Sequence, residues 1–208
     1  SIEACRKNNI LIIGLLDYWG KWAKPLSEQG YKSYANYVRT MVNRFRPGGE
    51  FAKAKHWQDN YGISHWEVWN EPATFWTGTG TQFGTLLAHA YKAIKSADPK
   101  AFVVFDNWGE RFDTDVIATA GRDSFDGVAP HYYCPPRSPE DAELDKLMKQ
   151  TIAFYRNQGI RRPFWITEMG WQSDNTLRRQ NEQARFLVRS YVMALASGMD
   201  KIFWYNFV

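Results

Sequence analysis

Apolar, β-branched and aromatic residues gather in six short runs, at 10–16, 65–69, 101–105, 125–129, 163–167 and 201–207, which predict buried β-strands. The segments between them carry the period of amphipathic helices. Tyr37, Val38, Met41, Val42 and Phe45 recur at three- and four-residue steps within 34–45, and Phe83, Leu86, Leu87, Ala90, Tyr91 and Ile94 do so within 81–97. The second helix must stop at Asp98-Pro99, because proline cannot continue the amide ladder. Two more helices are expected at 144–157, before Gly159, and at 181–196, before Gly198.

Strand starts at 101, 125, 163 and 201 are separated by 24, 38 and 38 residues, the length of a strand, a crossover helix and the return. Strict alternation of strand and helix implies parallel strands, so the predicted class is α/β, in one domain covering residues 1–208. An open doubly wound sheet would need a glycine-rich phosphate loop after its first strand, and Gly14-Leu15-Leu16-Asp17 is not followed by that spacing. A (β/α) barrel fits better. Polar and aromatic clusters follow almost every strand: Asp17-Tyr18-Trp19, Asn70-Glu71, Asp106-Asn107-Trp108, His131-Tyr132-Tyr133, Glu168, and Trp204 with Asn206. In parallel barrels the C-terminal strand ends build the active site.

Composition narrows the picture further. With 44% hydrophobic and 23% charged residues, the 208-residue chain can bury a core. A net charge of +4 and a pI near 9.0 raise the question of nucleic acid, but the basic residues form pairs such as Arg161-Arg162 and Arg178-Arg179 among acidic ones, not a stripe. Mild attraction to an acidic polysaccharide is compatible with the same charge. No apolar run approaches the roughly 20 residues that span a bilayer, and the first residues lack the apolar centre of a signal peptide, so no membrane partner is expected. Cys5 and Cys134 are too few for a disulfide framework. A barrel puts them near opposite ends of its strands, beyond a disulfide's Cα separation of about 6 Å, so two free thiols are expected.

The segments that carry chemistry are His65-Trp66-Glu67-Val68-Trp69-Asn70-Glu71-Pro72 and Arg162-Pro163-Phe164-Trp165-Ile166-Thr167-Glu168-Met169-Gly170-Trp171. Each places a glutamate just beyond a predicted strand, the two being 97 residues apart. Glycosidic cleavage needs two carboxyls in opposite protonation states, one to protonate the leaving oxygen and one to attack or stabilise the oxocarbenium-like centre. These segments resemble glycoside hydrolase clan A, whose members carry Asn-Glu-Pro after the fourth barrel strand and Thr-Glu-Xaa-Gly after the seventh. Leu15-Leu16-Asp17-Tyr18 and Phe203-Trp204-Tyr205 add a likeness to its β-xylosidase and α-L-iduronidase family and related polysaccharide-cleaving enzymes.

The resemblance implies a (β/α)8 TIM barrel of which this chain holds the third to eighth strands, truncated at both ends. It implies a retaining O-glycosyl hydrolase acting on β-linked polysaccharide or oligosaccharide without a cofactor, with Glu71 as acid/base and Glu168 as nucleophile. Asn70 would bond the sugar's 2-hydroxyl, His131 and Tyr133 would hold the nucleophile and line the site, and Trp204 would be its aromatic floor. Asp17, Trp19, Asn107 and Trp171 are further candidate sugar contacts, with Trp76 and Trp108 also near strand ends, whereas Trp66 and Trp165 should pack in the core. A secreted or periplasmic location suits such a substrate.

Other readings stand beside these. Glu67 points to the opposite face from Val68 and reads as a salt-bridged strand residue, and His131 alone could be a core histidine. His56, His65 and His89 lack zinc-ligand spacing, so no catalytic metal is expected. The alternative function is a carbohydrate-binding or assembly fragment with little hydrolysis, and strand edges beside 10–16 and 201–207 would invite self-association.

Overall fold

The computed structural model describes residues 1–17, 26–107, 109–174 and 176–206. The chain divides into two compact units, Ser1–Asp126 and Gly127–Val208.

The first unit contains α1 (Ile2–Lys7), β1 (Ile13–Leu16), α2 (Glu28–Phe45), α3 (Glu50–Ala54), β2 (His65–Val68), α4 (Pro72–Phe75), α5 (Gly80–Ala97), β3 (Phe102–Phe105) and α6 (Glu110–Ala120). The three strands are parallel, and Leu16, Val68 and Phe105 lie level across the sheet, so all three C-terminal ends emerge on one edge. Local chemistry explains where the helices begin. At α2, Ser27 caps the helix by accepting the Gly30 N–H at 3.1 Å, so the helix starts before the apolar period that reveals its later turns. A capping box opens α5, Thr79 and Gln82 each bonding the other's backbone N–H, and the helix stops before Asp98-Pro99 as expected.

Helix α6 was not expected from the pattern. Its buried residues are Val116, Ile117 and a carboxylate, Asp113, which accepts the Gly109 N–H at 3.1 Å, and this polar member breaks the apolar period. Helix α5 packs against α2 and α6. The core, with Val68, Trp69, Phe83, Leu86, Leu87, Val103 and Phe105 all fully buried, lies around these helices and the strands. Close packing of β1 on β2 depends on Gly14, since a Cβ there would stand 2.6 Å from the ring of buried Trp66.

The second unit contains β4 (Gly127–Val128), β5 (His131–Tyr132), α7 (Leu144–Asn157), β6 (Trp165–Met169), α8 (Leu177–Ser197) and β7 (Lys201–Trp204). Of the run expected as a strand at 125–129 only Gly127–Val128 pairs as one, and a further short strand, β5, follows outside that run. Pro130 lies between β4 and β5 and offers no amide hydrogen. Val128 bridges to Phe164, its N–H bonding the Pro163 carbonyl at 3.0 Å, and β5 then pairs parallel with β6, setting His131 opposite Glu168. Strand β6 runs two residues further than expected, so Glu168 lies within it and not beyond it. Against β7 the register slips between Ile166 and Met169: Ile166 pairs with Ile202 and Met169 with Trp204. The resulting bulge, at Thr167-Glu168, is the device that re-aims a side chain at a strand end.

Both cysteines are free, Cys134 buried and Cys5 partly so. Trp66 and Trp165 are buried, as expected of core residues. Among the described residues no helix is long and apolar enough to cross a membrane. Strand β1 lies at the edge of its sheet and β7 at the edge of its own. Exposed apolar side chains accompany both, Ile10, Leu11 and Leu15 near β1 and Val188, Val192 and Leu195 on α8.

Candidate functional site

In the first unit the chain leaves β2 through Trp69-Asn70-Glu71 in an unusual backbone conformation. Trp69 has φ 69° and Glu71 φ 40°, ψ 66°, both left-handed. Such geometry costs non-glycine residues on the order of 1–3 kcal/mol and persists only where the surroundings impose it. Here they do. The Trp69 N–H bonds the Leu16 carbonyl at 3.0 Å, and its fully buried ring packs edge-on against Trp76 at 5.2 Å and against Tyr34 at 6.0 Å. The Glu71 N–H donates to Asp106 Oδ2 at 2.6 Å, from a carboxylate 1% exposed just past β3. On its other side Pro72 opens α4, and the Glu71 carbonyl accepts N–H bonds from Thr74 and Phe75. The Glu71 backbone is therefore clamped, while its side chain stays partly exposed.

The other candidates of this unit are placed unequally. Asp17 is partly buried beyond β1, and its charge adds to burial in pushing the Tyr37 phenol up. Asn70 is partly buried beside Glu71. Asn107 donates to Asp113 at 3.3 Å, and its Oδ1 is buried with no hydrogen-bond partner among the described residues. Trp76, 6% exposed between Trp69 and Phe83, is a core residue and offers no platform for a sugar. Glu67 is 5% exposed, within β2. Trp19 and Trp108 lie outside the described residues.

In the second unit Tyr133 donates its phenolic hydrogen to Glu168 Oε2 at 2.7 Å. His131 Nδ1 lies 4.0 Å from the same oxygen, and its Nε2 is 3.0 Å from Thr167 Oγ1. His131 is thus tied to the strand that carries Glu168. Trp171 is 4% exposed, stacks on Trp204 at 6.0 Å and 23°, donates its indole N–H to the Arg137 carbonyl at 2.8 Å and receives Gln183 on its own carbonyl at 2.6 Å. Gly170 lies against the Tyr205 carbonyl so closely that any Cβ would collide with it, and the peptide between Tyr205 and Asn206 is cis. Tyr133, Trp171, Tyr205 and Asn206 line a cavity of about 540 Å³.

Each unit thus carries one glutamate at the C-terminal edge of parallel strands, held by its own supporting groups. Asp106 stands in the same polar cluster as Asn107, and it is Asp106, not among the candidate contacts, that holds the Glu71 backbone. Arg137 and Gln183 were missed because they act through backbone groups, which leave no spacing signal.

No protein-family model matches the sequence. No curated protein matches it either. Solved structures do. A glucosidase from Croceicoccus marinus superposes with a TM-score of 0.69 at 18% identity, over 98% of this chain and 44% of that one. The endo-β-1,4-mannanase from Thermotoga petrophila gives 0.65 at 16%, over 98% and 50%, and the endo-1,4-β-mannanase from Rhizomucor miehei 0.67 at 16%, over 99% and 65%. The fold is α/β, of the TIM-barrel type. At these identities the likeness concerns the fold alone, and the chain spans about half the length of the first two structures.

Tyr132, beside these site residues, generates a pH prediction. Burial pushes its phenol up to about 12, against a hydrogen bond from its hydroxyl to Thr151 at 2.9 Å. A raised folded-state value means that Tyr132 supports the fold fully below about pH 10, the unfolded phenol's range, and that this support is lost as pH rises toward 12. Urea unfolding of the wild type should show stability falling between pH 10 and 12, and Tyr132→Phe should fall less steeply. Equal slopes would contradict the assignment.

Proposed function

We propose that the chain is the catalytic part of a retaining β-glycosidase, with Glu71 as acid/base and Glu168 as nucleophile. The observation that carries this reading is the Glu168 environment: a carboxylate at a bulged strand end, bonded by the Tyr133 phenol, which itself lines an open cavity. The phenol steadies one oxygen of the carboxylate proposed as nucleophile. In the proposed reaction Glu168 attacks the anomeric carbon as Glu71 gives its proton to the leaving oxygen. Glu71 then takes a proton from water, which attacks the anomeric carbon on the face the leaving group left, opposite Glu168, and frees the carboxylate. Asn70 bonds the 2-hydroxyl, Trp204 forms the apolar floor, Trp171, nearly buried against Trp204, meets the sugar only by the edge that lines the cavity, and Asp17, Trp19 and Asn107 contact further hydroxyls.

The proposed substrate is a β-linked polysaccharide or oligosaccharide, a reading supported by the two mannanases and the glucosidase among the structures of similar fold. No cofactor takes part in it. Glu168→Gly should lose turnover on an activated aryl glycoside by at least about a thousandfold and regain it with azide or formate, small anions that replace the missing carboxylate. Failure of both anions to restore turnover would remove Glu168 from the nucleophile's role. Glycan binding without product release, indifferent to Glu168→Gln, would instead favour a binding fragment.

We further propose that the β1 and β7 edges, with Leu11, Leu15, Val192 and Leu195 exposed nearby, support self-association. Light scattering should show mass rising with concentration. A monodisperse monomer with full turnover would refute this.

A further inference from the structure

The cavity beside Tyr133 does not end at Trp171. A second cavity, of about 400 Å³, shares Pro135, Trp171, Gln172, Ser173 and Gln183 with it and continues to Arg179 and Phe186. The two form one trough within the second unit. Its shared wall is rigid, because Trp171 is fixed by the Arg137 and Gln183 hydrogen bonds, by stacking on Trp204 and by contact with Phe186 at 5.5 Å. A binding surface whose side chains are already ordered loses little entropy when a ligand arrives.

The chemistry of the far end is specific. Pro136 and Phe186 supply apolar faces that suit the C–H faces of a pyranose, while Gln172, Asp174, Arg179 and Gln183 offer donors and acceptors for hydroxyl groups. Charge is balanced there. Glu182 is paired with Arg178 at 3.2 Å and lies 3.9 Å from Arg179, and Asp174 adds a second carboxylate. Two acids against two arginines leave no surplus cation for a uronic acid, so the basic pI of the whole chain does not extend to this trough.

We propose that the far end of the trough is a second sugar subsite, which takes a neutral pyranose unit of the same glycan whose next units lie against Tyr133 and Glu168. The inference rests on the glycosidase reading for the identity of the ligand, and it makes the protein a reader of chains and not of single sugars.

Calorimetry on Glu168→Gln, with the β-1,4-linked hexaoses of xylose, mannose and glucose and the matching disaccharides, tests it. At least one hexaose should bind about tenfold more tightly than its disaccharide. Gln172→Ala combined with Arg179→Ala removes exposed side chains, Arg179 being 54% exposed, and should cut that advantage at least fivefold. Ser173→Trp, which fills the trough, should do the same. Equal binding of hexaose and disaccharide, no binding of any of them, an advantage untouched by both variants, or tighter binding of an oligogalacturonate than of every neutral hexaose would each overturn the proposal. Because the readout is binding, loss of hydrolysis alone counts against the catalytic reading and leaves this one standing.

Discussion

A strand that pairs parallel to its predecessor can be reached only by a crossover, and from that constraint most of this molecule follows. In the first unit it sets the ends of β1, β2 and β3 level at Leu16, Val68 and Phe105, and in the second it aligns β5, β6 and β7. Every loop that follows a strand then leaves from the same edge of its sheet. Asp17, Asn70-Glu71 and Asp106-Asn107 are neighbours in the first unit for that reason alone, as are Tyr133, Glu168-Trp171 and Trp204 in the second. The apolar faces of amphipathic helices cover the strands, and the polar chemistry is left to the edge.

The edges are not passive. On β2 the Trp69-Asn70-Glu71 turn holds two left-handed residues, and it is Asp106 of the neighbouring strand end, together with Pro72, that keeps the glutamate's backbone in place. On β6 the same task falls to a bulge, to His131 of β5 and to Tyr133 just past it. Two left-handed residues and the register slip thus fall at the two glutamates, where the local rules of helix and strand are broken and neighbouring strands supply the compensation.

Much of this was legible in the order of residues. The apolar period defined α5 and α7 almost to the residue, and the alternation of elements defined the parallel class. The paired Asn-Glu-Pro and Thr-Glu-Met-Gly segments picked out the glutamates. What was not legible has physical causes. Helix α6 hides its face behind buried Asp113, and the run at 125–129 has the composition of a strand although only Gly127–Val128 of it pairs as one. Trp76, just past a strand, looked like a sugar platform, but the Trp69 turn draws it into the core. The clamps on Glu71 and Trp171 run through backbone atoms, and the bulge at Thr167-Glu168 is a matter of register, which no single strand's sequence contains.

The central claim is that these two glutamates act in succession on one anomeric carbon. The most direct measurement is the configuration of the sugar as it is first released, followed by proton NMR before mutarotation sets in. The account predicts that the β-anomer appears first from a β-linked substrate, with the α-anomer growing in later. Initial release of the α-anomer would mean direct attack by water, a carboxyl pair about 6.5–9.5 Å apart instead of about 5–5.5 Å, and no nucleophilic role for Glu168.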